Sequence, residues 1–315
     1  MLRRRDFLAA AAATGVAAAT GRSHAAQTDA VPAQPKPKAV LKLSAQEGGI
    51  PGESLKAKLD TMAGWGFDGI EFGGQAALRR VKEIQSALDG HDVKISALCG
   101  GVEGALIADD PAAREKAMHS AKELLTAAGE VGAVGLIIVP AFHRDNMMPH
   151  QAARELLTGF ARWDARKDKP DPTPVLLELA EHAVKAGTRI LLEPLNRQEC
   201  YFLRTVADGA SICKDLDHPG LAVMGDFWHM TWEETSDLGA FITGGGYLHH
   251  VHIASRKRRK TPGEDGAADN YVEGFKGLKW IGYQDFVSFE CGAVGAREVV
   301  MPAAVKLLRA QWEQA

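Results

Sequence analysis

The sequence predicts an α/β protein of the (β/α)8 class, a closed barrel of eight parallel strands inside a ring of helices. Three observations predict it. Eight short apolar runs alternate with stretches of helical period across residues 40–315. That alternation implies parallel pairing, and eight repeats suit a closed barrel better than an open sheet. Four runs in the second half also end in a residue able to hold a metal: RILLEP at Glu193, LAVMGD at Asp226, LHHVHI at His252 and FVSFEC at Glu290. Their separations of 33, 26 and 38 residues are close to the roughly 30 residues of one βα unit. One TIM-barrel domain over residues 40–315 accounts for all three.

In chain order, strands are expected at Val40–Ser44, Gly69–Phe72, Lys94–Cys99, Gly135–Pro140, Arg189–Pro194, Leu221–Asp226, Leu248–Ile253 and Phe286–Glu290. Between them, apolar residues spaced near 3.6 mark helices, among them Glu53–Trp65, Ala112–Val131, Pro174–Ala186 and Ala296–Trp312. Thr173-Pro174 reads as an N-cap followed by proline at the first helical position, and Gly187 ends that helix. Two connections exceed what a barrel needs. Ala141–Asp171 follows the fourth strand and carries the charged insertion Arg162–Asp171; Ser255–Tyr283 follows the seventh and carries Arg256-Lys257-Arg258-Arg259-Lys260 and Pro262-Gly263. Long βα loops lie on the catalytic face, so each is a candidate lid or a contact in a homo-oligomer. Gly48-Gly49 and Gly73-Gly74 lack the spacing of a phosphate-binding turn, which argues against nucleotide binding.

A net charge of −3 and a pI near 6.4 argue against nucleic acid as the main partner. The first 39 residues stand outside the barrel. Arg3-Arg4-Arg5-Asp6-Phe7-Leu8, an alanine-rich stretch and Ser23-His24-Ala25 resemble a bacterial Tat export signal over residues 1–25. Its apolar run is too short and weak to span a bilayer, so no stable membrane association is expected. Removing it takes away four arginines and one aspartate, moving the net charge from −3 to −6. Residues 26–39, with Pro32, Pro35 and Pro37, read as an extended linker. The Tat machinery passes folded proteins, which suits a metal loaded before export and a periplasmic or secreted location. Cys99, Cys200, Cys213 and Cys291 show no CxxC pair, so a zinc–thiolate site is not expected, and Cys99 and Cys291 read as small buried fillers.

Side chains alternate along a strand, so Leu191 shares a face with Glu193, Met224 with Asp226, His250 with His252 and Ser288 with Glu290. A lone carboxylate at a strand end often only caps a helix. Four ligands in register are a different matter. Two Glu, one Asp and one His suit a hard or borderline divalent cation. His250 should lie deeper than His252 as a core histidine, and His249 should point outward. His143 and Glu71, at the ends of the fourth and second strands, are candidates to line the pocket. Trp65, Phe72, Phe142 and Trp228 read as core or pocket wall.

The flanks add ExxNRxE over Glu193–Glu199, DxxH over Asp226–His229, HxHxxxxxR over His250–Arg258, and a terminal FEC over Phe289–Cys291. With these motifs in order, the chain resembles the xylose isomerase-like superfamily of sugar epimerases and isomerases, nearest its ketose 3-epimerase and hydroxypyruvate isomerase branch. The resemblance spans roughly residues 40–312 and is specific in the last four units. It implies that Glu193, Asp226, His252 and Glu290 hold one divalent metal, manganese foremost, with magnesium, cobalt or zinc as alternatives. It further implies that Glu193 and Glu290 are the acid/base pair and that Glu199, His229 and one arginine bind substrate oxygens. Counting from His252 selects Arg258; counting back from Pro262-Gly263 selects Arg259.

That residue set fits the chemistry. Removing a proton from carbon beside a carbonyl builds charge on the carbonyl oxygen, and a chelating metal neutralises the cis-enediolate as it forms, an effect of several kcal/mol. Two carboxylates on opposite faces can then invert the carbon. The expected function is a metal-dependent epimerase or isomerase acting on a ketose or keto-sugar. The alternative is an exported lyase or dehydratase acting on a 3-keto-glycoside or inosose through the same enediolate.

Overall fold

The structure is a computed structural model that describes residues 37–140, 142, 148–159 and 174–315. The export signal expected over residues 1–25, most of the linker, and His143, Met147 and Arg162–Asp171 lie outside the described residues. Eight strands form the barrel: β1 (Lys42–Gln46), β2 (Gly69–Gly73), β3 (Lys94–Cys99), β4 (Leu136–Ile138), β5 (Ile190–Leu192), β6 (Leu221–Asp226), β7 (Leu248–Ile253) and β8 (Phe286–Phe289). Each pairs in parallel with its neighbour in sequence, and β1 closes on β8. The eight expected strands are all present. β1 sits two residues later than expected, and β4 and β5 are shorter.

Among the described residues the helices are α1 (Leu55–Trp65), α2 (Gly74–Leu78), α3 (Val81–Leu88), α4 (Pro111–Glu130), α5 (His150–Thr158), α6 (Val175–Ala186), α7 (Val206–Leu216), α8 (Phe227–Glu233), α9 (Asp237–Gly244), α10 (Val272–Ile281) and α11 (Arg297–Gln314). Their ends follow local chemistry. Ser54 caps α1 through its side chain, Asp110 caps α4 with Pro111 beside it, and Thr205 with Asp208 forms a capping box on α7. Pro174 occupies the cap position of α6 instead of its first turn, and Gly187 ends that helix at φ 81°. No described helix is long and apolar enough to cross a membrane.

Two layers of side chains fill the fold. Outward-facing Leu43, Ile70, Leu98, Leu192, Val223, Val251 and Val287 pack under the helices in the main core. Inside the barrel, Ala97, Ile137, Leu191, Ala222 and Met224 form a smaller apolar plug. The rest of the interior is polar: Ser44 and Ser96 share a 2.6 Å hydrogen bond, with Glu71, His250 and Ser288 all buried nearby in sequence register. The pairing slips by one residue between β2 and β3 at Glu71 and between β6 and β7 at Met224. The second slip sets His250 against Met224 and His252 against Asp226. Such irregularities re-aim side chains where a site must be built.

The long loop after β7 is compact. The buried carboxylate of Asp269 accepts N–H groups from Arg256, Gly263 and Asp265, while Asp265 accepts from Lys257 and Arg258. Arg256 lies 4.8 Å from the Phe227 ring and 4.9 Å from the Tyr271 ring, and pairs with Asp237. Three side chains of the basic run, Arg256, Arg258 and Arg259, are thus paired with carboxylates, while Lys257 is exposed.

Candidate active site

β5 stops at Leu192, and Pro194, which has no N–H, bars the ladder from continuing. Glu193 itself still bonds back to Ile138 O at 3.1 Å, holding its side chain over the barrel mouth. Asp226 ends β6 and starts α8 at once: its Oδ1 accepts the Trp228 N–H at 2.8 Å. The carboxylate is thus a helix cap and a site residue together, with Oδ2 left facing inward. His252 is the next-to-last residue of β7, and Glu290 follows β8 with its N–H on Ile253 O at 3.2 Å.

One ligand atom from each of Glu193, Asp226, His252 and Glu290 lies within 4.8 Å of the others. Ligands on opposite sides of an ion, each about 2.0–2.4 Å from it, would span about that distance. His252 Nδ1 is buried, makes no hydrogen bond, and faces Glu290 Oε2 at 3.2 Å and Glu193 Oε1 at 3.5 Å. An unbonded ring nitrogen among three carboxylates is a donor set waiting for a cation. The sequence-predicted quartet therefore comes together, and its residues fit one divalent ion.

The protein's own charges set the two glutamates apart. Burial raises the proton affinity of Glu193. For Glu290 burial works in the same direction, but His252 and Arg259 outweigh it and hold the carboxyl down at about 2. Burial would lower the imidazolium pKa of His252, yet the Glu71 and Glu290 carboxylates push it well above the usual histidine range. Carboxylates driven in opposite directions in one pocket are the pattern of an acid/base pair.

A cavity of about 230 Å3 opens above the quartet. Its polar end carries Glu193, Glu199, His229, Arg259 and Glu290; its apolar wall includes Val102, Leu106, Val139, Leu195 and Phe142. Gly100 and Gly101, at φ 60° and 93°, let bare backbone form one side. A Cβ on Gly101 would also sit 2.9 Å from Gln75 N. Sequence reasoning missed this β3–α4 wall, because nothing in an apolar, glycine-rich loop marks it as a binding surface.

His229 is buried, and its Nδ1 accepts the Asn196 N–H at 3.1 Å and the Asn196 side-chain amide at 2.9 Å. Nε2 must then carry the proton, and it points toward Asp226 Oδ2 at 3.5 Å. Asn196 also donates to Glu199 Oε1 at 3.1 Å, so one buried amide orients two pocket residues. Its place in the ExxNRxE motif was the available signal, and it was not used.

The arginine ambiguity resolves geometrically. Arg259 bonds Glu290, lies 3.4 Å from Asp226 Oδ2 and stacks 4.6 Å from the Trp228 ring. Its backbone adopts φ 53°, a left-handed conformation that costs a non-glycine residue on the order of 1–3 kcal/mol. Arg258 is half exposed and bonds Asp265 at 2.5 Å and the Glu264 carbonyl, away from the cavity. Of the two candidates, the structure brings Arg259 to the cavity and places Arg258 outside it. Arg259→Ala should lower kcat/KM by about 10²–10³, as expected when a charged hydrogen-bond donor at the reacting centre is lost. Arg258→Ala should stay within about twofold, and steady-state kinetics on both variants checks this.

Glu71 also departs from its expected place. It does not line the cavity; it is fully buried beneath it, where both its oxygens take hydrogen bonds from His252 Nε2 at 3.0–3.1 Å. His250 Nε2 donates to the same carboxylate at 2.9 Å, and Gln46 does so at 2.9 Å. Burial opposes ionisation of Glu71, but the His252 and His250 imidazoles hold it far below the usual range. His250 is a core histidine as read, though its Nδ1 has no partner. His249 faces outward to Asp285 at 2.7 Å. All four cysteines are free, and Cys99 lines the cavity.

Comparison with known proteins agrees with this architecture. The chain is 27 % identical over 251 residues to the 3-dehydro-D-guloside 4-epimerase of Escherichia coli, covering 79 % of this chain and 92 % of that one. It is 39 % identical over 113 residues to the D-psicose 3-epimerase of Ruminiclostridium cellulolyticum, a match spanning 36 % of this chain and 38 % of that enzyme. Among solved structures, the 3-keto-D-glucoside 4-epimerase of E. coli superposes with a TM-score of 0.74 at 24 % identity, covering 86 % of this chain and all of the other. The family model described as the xylose isomerase-like TIM barrel matches residues 59–311. With that match over most of its length, the chain belongs to the xylose isomerase-like TIM barrel family.

Proposed function

We propose that this protein is a divalent-metal-dependent epimerase that inverts a carbon beside the carbonyl of a ketose or keto-glycoside. The observation that carries the reading is the floor of the cavity, where Glu193 and Glu290 converge on the unbonded Nδ1 of His252 with Asp226 alongside. Relatives named as ketose and keto-glycoside epimerases support it. A cation held by these four residues would supply Lewis-acid stabilisation of negative charge on the substrate's carbonyl oxygen.

The remaining work falls to the chain. Glu193 and Glu290, just past the ends of β5 and β8, would approach the substrate carbon from different sides, one to remove its proton and the other to return one. Arg259 and the His229 N–H bring positive character to the same end of the cavity, where oxygens of the substrate would lie. The apolar wall keeps bulk water from the exposed carbanion-like centre. Which ion serves is open to manganese, magnesium, cobalt or zinc, since two glutamates, an aspartate and a histidine accept each of them. The twin-arginine segment at Arg3–Leu8 supports a periplasmic or secreted location.

Incubation of ion-loaded protein with ketoses and keto-glycosides in deuterium oxide should place one deuterium on the carbon next to the carbonyl, with substrate mass otherwise unchanged. Absence of exchange with every sugar tested would sink the reading. Loss of water or of an aglycone would move it to elimination.

A further inference from the structure

The carboxylate beneath the candidate ion site has no part in the chemistry above, yet its contacts are complete. Glu71 is 0 % exposed and accepts from three donors: His252 Nε2, shared between both carboxylate oxygens, His250 Nε2 and Gln46 Nε2. A carboxylate only accepts, so both imidazoles must carry their protons on Nε2. For His252 this leaves Nδ1 as the ring nitrogen that faces Glu193 and Glu290, the one an ion would take in exchange for a proton. Glu71 comes from β2 and reaches across the barrel to β7, and the register slip between β2 and β3 falls at this residue.

We propose that Glu71 is the positioning residue of the ion site: it fixes the His252 tautomer and ring angle, and His250 serves as a second N–H that fixes Glu71. The proposal rests on the four-residue ion site argued above. His250 suits this role, because its ring sits 5.1 Å from that of His252 at 81° and donates nowhere but to Glu71. Glutamine at position 71 would offer one acceptor oxygen and would turn an N–H group toward one of the two imidazole donors. A hydrogen bond to the non-ligating nitrogen of a metal-bound histidine typically carries 10–100-fold in metal affinity.

Binding of Mn2+ to the full chain, measured by calorimetry or by competition with a chelating dye, tests this. Glu71→Gln should bind Mn2+ 10–100-fold more weakly than the parent, while its circular dichroism and its melting temperature in chelator stay close to the parent's. Glu71→Asp keeps the charge but shortens the reach, and should fall between the two; it also serves as the reading if Glu71→Gln does not fold. Parent-like affinity in folded Glu71→Gln or Glu71→Asp would overturn the role of Glu71 and leave the ion site standing. Failure of the parent itself to bind Mn2+ would instead remove the ion site, and this proposal with it.

Discussion

Replacing Glu290 by glutamine lowers turnover by about 10²–10⁴-fold, the usual contribution of a positioned acid or base, and changes KM little. Glutamine preserves the shape and one oxygen, so the cavity and the bond to Arg259 are nearly retained while the proton acceptor is lost. The ion content of the variant must be measured, because Glu290 is also one of the four converging ligands. A sharper readout comes from comparing Glu290→Gln with Glu193→Gln. With one carboxylate gone, the other can still remove a proton from the epimer that presents its C–H to it and return deuterium to the same face. Each variant should therefore exchange one epimer without inverting it, and the two variants should choose opposite epimers. Turnover within threefold of the parent in either variant, or identical exchange behaviour in both, would withdraw the two-carboxylate assignment.

Chelation should abolish activity and lower the melting temperature, and both should return on adding Mn2+. Without a cation, Glu71, Glu193, Asp226 and Glu290 are balanced only by the imidazoles of His229, His250 and His252 and the Arg259 guanidinium. An ion that binds only the folded state stabilises it by about 2.7 kcal/mol at a hundredfold excess over Kd. For a domain near this size that is roughly 5–10 °C in Tm. Differential scanning fluorimetry with chelator and with graded Mn2+ checks the shift; a flat profile would contradict the ion site. The pH dependence has a definite sign. Ligands must be deprotonated to bind, and a group with raised proton affinity takes up its proton first on acidification. His252 is pushed well above the ordinary histidine range and Glu193 is raised, while Glu290 is held at about 2, so on acidification Mn2+ affinity should fall first as His252 takes up its proton and then further through Glu193.

The barrel was legible because alternation of strand and helix is written in the spacing of apolar residues. β3, β6 and β7 begin and end where the apolar runs do. β1 was misplaced for a reason tied to function: its upper end runs through Gln46, which faces the polar interior, so an apolar criterion stopped at Ser44. β4 and β5 were read too long, since prolines at 140 and 194 interrupt the ladder before the apolar run is spent. The four converging ligands were legible as strand-end residues at regular intervals. Glu71 was not, because alternation gives the face of a strand but not its height in the barrel. Height depends on strand tilt and on the slip at β3, neither of which local sequence records. Arg258 and Arg259 could not be separated, because which of them turns toward the cavity depends on the left-handed backbone at Arg259, which local sequence does not record.

The apolar plug of Ala97, Ile137, Leu191, Ala222 and Met224, almost wholly shielded from solvent, has a consequence for traffic. Among the described residues it fills the interior between β3 and β6 beneath the cavity, so on the proposed function cation and sugar would both enter through the cavity mouth. A sugar seated there would stand between the cation and the outside, which would make the order of arrival compulsory: cation first, sugar second, and departure in reverse. Saturating sugar should then slow the escape of the cation into excess chelator, turning a reversible cofactor into a captive one for as long as the enzyme is at work.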